Sequence, residues 1–267
     1  MAKNNIKELS IQVDLNGLSF CILDKTEKKV TYFNQVYFEN SLSPFDVLNR
    51  LKAELSANTS FSEDFKSVQV IHQNELSTLV PNALYEESNN ADYLKFNSKI
   101  LQTDFIARDK LKQMDAVNVY IPYVNVNNYI FETFGTFTYK HGSTIFIEYI
   151  LANQVSEKDS MFLNIEKNMM EVLVLKNKKL QLYNRFDYST TEDFLYYVLF
   201  VVEQLGLDPE TMETKVSGRI SKTSELFKAI YKYIRHVDLL ETKTELDISL
   251  LEDNEKLSNN LTILNSF

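Results

Sequence analysis

Tryptophan is absent from the 267 residues, cysteine occurs once, and glycine and proline number only five and four. A single cysteine excludes an internal disulfide. Cys21 stands in the apolar run Leu18-Ser19-Phe20-Cys21-Ile22-Leu23, where a buried, inert thiol is expected. Histidine is nearly as scarce. His72, His141 and His236 lie far apart and none has a partner four residues on, so spacing supports no zinc site and each reads as a strand-end or helix-end residue. The longest apolar run, Phe194 to Val202, falls well short of the ~18–20 residues a membrane helix needs. The first eight residues lack the apolar centre of a signal peptide, so a cytoplasmic location is expected. Positive charge is in the minority. With 28 basic against 37 acidic side chains the net charge is −9, which opposes attraction to phosphate backbones and anionic lipid and argues against nucleic acid or membrane as partners. No Gly-x-Ser-x-Gly elbow, Cys-x-x-Cys pair or phosphate-loop motif occurs, which leaves nucleophilic catalysis and dinucleotide binding without a candidate.

What is present is an ordinary globular composition, 44% apolar and 24% charged, in a chain long enough for two domains at ~150 residues each. Glu8 to Asp14 alternates as a half-buried strand, Asn16-Gly17 is a tight-hairpin dipeptide, and Leu18 to Asp24 runs back as a second strand. Val30 to Phe38, aromatic and β-branched, completes a meander. Ser43 and Pro44 then open a helix whose apolar face is Phe45, Leu48, Leu51 and Leu55, and Ser67 to His72 reads as a fourth strand.

The same order returns about 150 residues later. Strands are expected at Met161 to Glu166, Glu171 to Lys176 and Leu180 to Phe186, with turns at Lys167-Asn168 and Asn177-Lys178. A helix follows behind a capping box of Ser189 and Glu192, with Phe194, Val198 and Val202 inward and Gly206 closing it. Thr214 to Ser217 is the fourth strand, and Ser224 to His236 reads as one amphipathic helix. Between the copies, helices are expected at Glu86 to Phe96, Val126 to Phe134 and Ser143 to Ala152, and strands at Ala116 to Ile121 and Thr136 to Tyr139. Gln154 to Ser160 is the most polar short stretch, which puts the domain boundary there: 1–155 for a first lobe, 156–267 for a smaller second. Beyond Asp238 the chain turns Asn- and Ser-rich and its last residues are expected to fray.

Three antiparallel strands, a helix, a parallel fourth strand and a further helix, occurring twice, resemble the α/β ribonuclease-H-like fold as duplicated in the actin and sugar-kinase superfamily. Two stretches carry the likeness further. Thr78-Leu79-Val80-Pro81-Asn82-Ala83-Leu84-Tyr85, and Asn184-Arg185-Phe186-Asp187-Tyr188 running into Glu192-Asp193-Phe194-Leu195-Tyr196-Tyr197, resemble a bacterial family of unknown function within that superfamily, over nearly the whole chain. The resemblance implies two mixed-sheet lobes with flanking helices. It also suggests functional analogy with the actin-like assembly proteins of type IV pilus and type II secretion systems.

In active members of the superfamily an acidic residue ends the first strand of each lobe and glycine-rich turns follow, because phosphates need close backbone N–H donors and Mg²⁺ needs carboxylates. The first such turn is half present, with Asp14, Asn16, Gly17 and Ser19 as the matching residues, although an Asp beside Asn-Gly is also an ordinary turn residue. In the second copy Glu166 takes the acidic place, but Lys167-Asn168-Met169 follows without a glycine, and Gly218 alone stands at the other strand end where active relatives bracket adenosine. The resulting expectation is a non-catalytic actin-like protein that binds another protein and needs no cofactor. The alternative is a weak ATPase or switch binding Mg-ATP through Asp14, Asn16, Gly17, Ser19 and Glu166. The 15 Tyr and 18 Phe are the compositional excess; most should pack the core, and on the helix from Thr191 the outward candidates for a protein interface are Tyr196, Tyr197 and Phe200.

Overall fold

The computed structural model describes residues 6–96, 98–154, 156–251 and 259–267. Within these residues the chain divides into two compact units, one of 6–148 with 244–251 and 262–267, the other of 149–243 with 259–261.

In the first unit β1 (Lys7–Asp14), β2 (Gly17–Asp24) and β3 (Lys29–Tyr37) form the expected meander. Helix α1 (Pro44–Ala57) starts where the sequence puts it, the Ser43 hydroxyl accepting the Asp46 N–H at 3.2 Å with Pro44 in the first turn. After β4 (Ser67–His72) come β5 (Ser77–Pro81), α2 (Asn90–Lys95), β6 (Ala107–Lys110), β7 (Ala116–Tyr120), α3 (Val124–Phe134), β8 (Thr138–His141) and α4 (Gly142–Asn153). The main sheet has the order β3-β2-β1-β4-β8, with β4 parallel to both β1 and β8. Leu9, Ile11 and Val13 of β1 meet Val47 and Leu51 of α1 and Val126 and Ile130 of α3 on one face.

The second unit repeats this order. Strands β9 (Ser160–Ile165), β10 (Met169–Lys176) and β11 (Lys179–Asp187) form the meander, followed by α5 (Thr191–Gln204), β12 (Glu213–Gly218), α6 (Glu225–Tyr231) and β13 (His236–Leu239), in a sheet ordered β11-β10-β9-β12-β13. Asn177 and Lys178 turn the β10–β11 hairpin with both φ positive, 50° and 60°, the backbone that matches strand twist in a tight hairpin. The core joins β9 and β10 to Phe194, Val198 and Val202 of α5, as the helical spacing predicts. A final short helix, α7, spans Leu261–Leu264.

Four local expectations are corrected, and two strands are added. The first hairpin turns at Leu15-Asn16, not Asn16-Gly17, because Asp14 pairs directly with Gly17 across a two-residue loop. The capping box lies one residue later, with Thr190 and Asp193 in place of Ser189 and Glu192. The single helix expected over Ser224 to His236 ends at Tyr231, and the chain re-enters the sheet as β13, since the exposed edge of β12 offers parallel backbone pairing to His236–Leu239. Strands β5 and β6, which flank β7 in a separate three-stranded sheet over Val80, Leu94 and Val117, were not legible beforehand. The chain end does not fray: Ile263 and Leu264 are buried and Ser266 donates its hydroxyl hydrogen bond to Ser10 Oγ at 2.7 Å. Residues 252–258, just before it, lie outside the described residues, as do residues 1–5.

Cys21 is fully buried in β2, and burial pushes its thiol pKa up to about 12. Native protein is expected to leave a thiol-reactive disulfide dye untouched, with one equivalent released on unfolding in guanidinium; rapid native-state release would show that the strand opens.

Candidate functional site

The turn between β1 and β2 gathers four residues matched to a phosphate site: Asp14, Asn16, Gly17 and Ser19. Each has a local task. The Asp14 carboxylate accepts the Asn16 N–H at 2.6 Å, an Asx turn that consumes the amide a phosphate would otherwise meet. The Asn16 carbonyl accepts the Phe38 N–H at 2.9 Å, and the Leu15 carbonyl that of Leu42 at 2.8 Å, which ties the turn to the segment after β3. Gly17 is required by a close approach. A Cβ there would lie 2.6 Å from the Val36 carbonyl oxygen on β3. Ser19 is buried, and its hydroxyl accepts a hydrogen bond from Gln35 Nε2 at 3.1 Å.

In the second unit Glu166 follows β9 directly. Its N–H donates to the Met169 carbonyl at 2.8 Å and its own carbonyl accepts the Tyr188 hydroxyl, so the Glu166–Met169 turn is closed on itself. Burial, with the Glu166 charge nearby, pushes the Tyr188 pKa up to about 12, and Tyr188 donates as a neutral phenol. Gly218 ends β12 beside Ile165, with φ +83° and its Cα against the Ile165 backbone; an added Cβ would lie 2.1 Å from the Ile165 oxygen. At Gly17 and Gly218 a close backbone approach leaves no room for a side chain.

The richest polar cluster in the first unit involves residues that sequence spacing could not join. The buried Asp109 carboxylate on β6 accepts the His141 N–H and the Thr144 hydroxyl, both at 2.8 Å on Oδ2, and the Tyr120 hydroxyl at 3.1 Å on Oδ1. His141 Nδ1 lies 2.6 Å from Ser143 Oγ, and Asn118 donates to Ser143 and Thr144. This is not a nucleophilic triad. The carboxylate holds the histidine backbone, not its ring, and Ser143 and Thr144 are fully buried. Desolvation raises the Asp109 pKa, and the cluster ties β6 and β7 to the start of α4. All three histidines do mark strand ends: His72 and His141 close β4 and β8, and His236 opens β13. Among the described residues no three His, Cys, Asp or Glu side chains converge to hold a metal ion.

Of the three aromatic interface candidates on α5, Tyr196 and Phe200 face solvent, 62% and 42% exposed, and stack on each other at 6.0 Å. Tyr197 turns the other way, stacked on Phe186 at 4.8 Å against the core. No helix among the described residues is long and apolar enough to cross a membrane.

Solved structures resemble this chain along nearly its whole length. A Bacteroides thetaiotaomicron protein with actin-like ATPase fold and unknown function is 22% identical, with a TM-score of 0.80 over 89% of this chain and 92% of its own. The PilM–PilN type IV pilus biogenesis complex gives a TM-score of 0.62 at 12% identity, over 98% of this chain and 97% of the matched one. Ethanolamine utilization protein EutJ from Carboxydothermus hydrogenoformans gives 0.50 at 9% identity, over 97% and 88%. At these identities the likeness establishes the fold alone, a mixed α/β actin-like ATPase fold. No curated protein matches the sequence. The family profile for protein of unknown function DUF3822 matches residues 1–237, and the chain accordingly belongs to the DUF3822 family.

Proposed function

We propose that this protein is a non-catalytic member of the actin-like superfamily that works by binding another protein as an assembly or interaction module. The observation that carries this reading is the self-satisfied state of both acidic turns. The Asn16 amide is bonded to Asp14, Gly17 is pressed onto Val36, and the Glu166–Met169 turn lacks glycine and holds its Glu166 amide on Met169, which supports a turn pair with fewer close N–H donors than phosphates need. A structural neighbour seen in a pilus biogenesis complex with PilN supports a protein-binding use of the same fold. The stacked Tyr196–Phe200 pair adds an apolar, water-tolerant surface on α5.

Thermal unfolding with and without Mg-ATP, Mg-ADP and Mg-GTP tests the reading. A nucleotide present at 100 times its Kd would stabilise a binder by about 2.7 kcal/mol. For a chain of this size that is a rise in Tm of roughly 5–10 °C. The expected result is no rise with any of the three. A clear rise would make the protein a nucleotide-binding switch and return Asp14, Asn16, Gly17, Ser19, Glu166 and Gly218 to a ligand role.

A further inference from the structure

Helices α1 and α5 hold the same place in the element order of the two units, and their caps put them in one register. Each runs for 14 residues behind a hydroxyl N-cap, Ser43 or Thr190, that accepts the N–H of an aspartate three residues on, Asp46 or Asp193. Val47, Leu51 and Leu55 are therefore the counterparts of Phe194, Val198 and Val202, and both sets are buried. The outward residues compare in the same way. Where α1 exposes Asn49 and Ala53, α5 exposes Tyr196 and Phe200, and Lys52 of α1 has the half-buried Leu199 as its counterpart. Since one unit holds this place with Asn and Ala, packing within a unit does not call for the two stacked rings of the other.

Charge sharpens the contrast. The surface of α1 carries both signs, with Arg50 paired to Glu54 at 2.8 Å, whereas α5 has no basic residue. Glu192 and Glu203 stand 11 residues apart, and at about 100° per residue they fall on the same outward stripe as Tyr196 and Phe200. Both are exposed, and neither has an ion-pair partner among the described residues. The nearest elements do not supply one. At the C-terminal end of α5 the Lys176 ammonium donates to the Leu205 carbonyl at 2.7 Å, and the exposed Lys228 and Lys232 of the neighbouring α6 pair with neither acid. The stripe reads acid, apolar, acid over about 16 Å.

Most occupants meet an obstacle there. A second copy laid α5 against α5 in antiparallel two-fold packing would set Glu192 beside Glu203 at both ends. An extended strand would find no backbone to pair with, because that of α5 is bonded within the helix. Anionic lipid or nucleic acid would be repelled by the acids. A helix with an apolar face and a cation at each end of it answers all three parts.

We propose that the outward face of α5 is the docking site for an amphipathic helix of a partner protein, whose apolar stripe covers Tyr196, Leu199 and Phe200 and whose Lys or Arg residues, about three turns apart, pair with Glu192 and Glu203. The proposal rests on the protein-binding reading above and names the partner's chemistry. The two fail separately, because the nucleotide melts bear only on that reading and the crosslinking below bears only on this face.

The test installs the photo-crosslinking residue p-benzoylphenylalanine in place of the exposed Gln204, beside the stripe, in the full chain within the cells that produce it. The same probe in place of Asn49 on α1 is the control. The expected result is an adduct, absent from the control, through a segment whose apolar residues recur at spacings of three and four between two basic residues about three turns apart. Its yield should fall about tenfold with Glu192→Lys and Glu203→Lys combined, and with Tyr196→Ala, and by a smaller factor with Glu192→Gln and Glu203→Gln combined. All four positions are exposed, and unchanged melting curves of the variants separate lost docking from lost folding. No adduct beyond that of the control, or an adduct with a second copy of the chain, would overturn the proposal. So would a crosslinked segment without that pattern, or a yield indifferent to the charge reversal.

Discussion

Gly218→Ala is expected to destabilise the second unit by about 4 kcal/mol or more, and to lower its melting temperature by at least about 10 °C. Two separate costs add at this position. The backbone sits at φ +83°, a region that side-chain-bearing residues rarely adopt, and the new Cβ would lie 2.1 Å from the Ile165 oxygen and 2.7 Å from its nitrogen. Both obstructing atoms are backbone in the paired β9 strand, so relief requires breaking the β9–β12 register, where Gly218 faces Ile165. Gly135→Ala and Gly206→Ala provide the comparison. Both glycines have positive φ, 77° and 58°, but nothing lies within 4 Å of an added Cβ, so each should cost only about 1 kcal/mol. Melting curves of the three variants decide whether close packing sets the difference. If Gly218→Ala melted with the other two, packing would not explain this glycine, and a ligand approaching the strand end would regain force as the reason for it.

Acidification from pH 6.5 to 4 is expected to remove about 3 kcal/mol from the first unit through His72 alone. Its side chain is fully buried at the end of β4, where Nδ1 accepts the Tyr123 N–H at 3.2 Å and Nε2 therefore carries the proton, donating to Asn127 Oδ1 at 2.9 Å. Protonating Nδ1 would set a donor against a donor and bury a charge. Burial is the main cause that lowers the His72 pKa to about 4 from 6.5, against a smaller opposing effect of the Asn127 hydrogen bond. Between those two values the unfolded chain takes up a proton that the native chain refuses. Stability is complete above the unfolded pKa and falls as pH drops towards the folded one. Asp109 works in the opposite sense: its raised pKa means that its contribution is present at low pH and lost as pH rises through the folded value, so it cannot produce the acid loss. Urea unfolding at several pH values between 7 and 4 should show a loss of about 1.4 kcal/mol per pH unit in the native chain beyond that in His72→Gln. Parallel pH profiles in the two proteins would refute the assignment.

Much of the architecture was legible because periodicity and turn chemistry are local. The two meanders, the helix behind Ser43 and Pro44, and the Asn177-Lys178 hairpin all follow from residues within a few positions of one another. Helix α6 and strand β13 were misread as one helix because Phe227, Ile230, Ile234 and Val237 are spaced for a helical face, and all four are buried in the second core. Only the free edge of β12 decides between them. Strands β5 and β6 were missed for a related reason. They are short, and β7 between them supplies the hydrogen bonds that make them strands.

The candidate site divides along the same line. From the residues alone it followed that the turn after Glu166 has no glycine and that acidic side chains outnumber basic ones. Whether Gly17 and Gly218 were kept for a phosphate or for packing could not be read there, because a glycine in a sequence records only a missing side chain. The Val36 and Ile165 backbone atoms that fill the space come from strands brought alongside by the fold. The same holds for Asp109, which meets Tyr120, His141 and Thr144. Local chemistry chose the elements, but close approach between elements distant along the chain is a property of tertiary packing, and that packing set the surroundings of Gly17, Gly218 and Asp109.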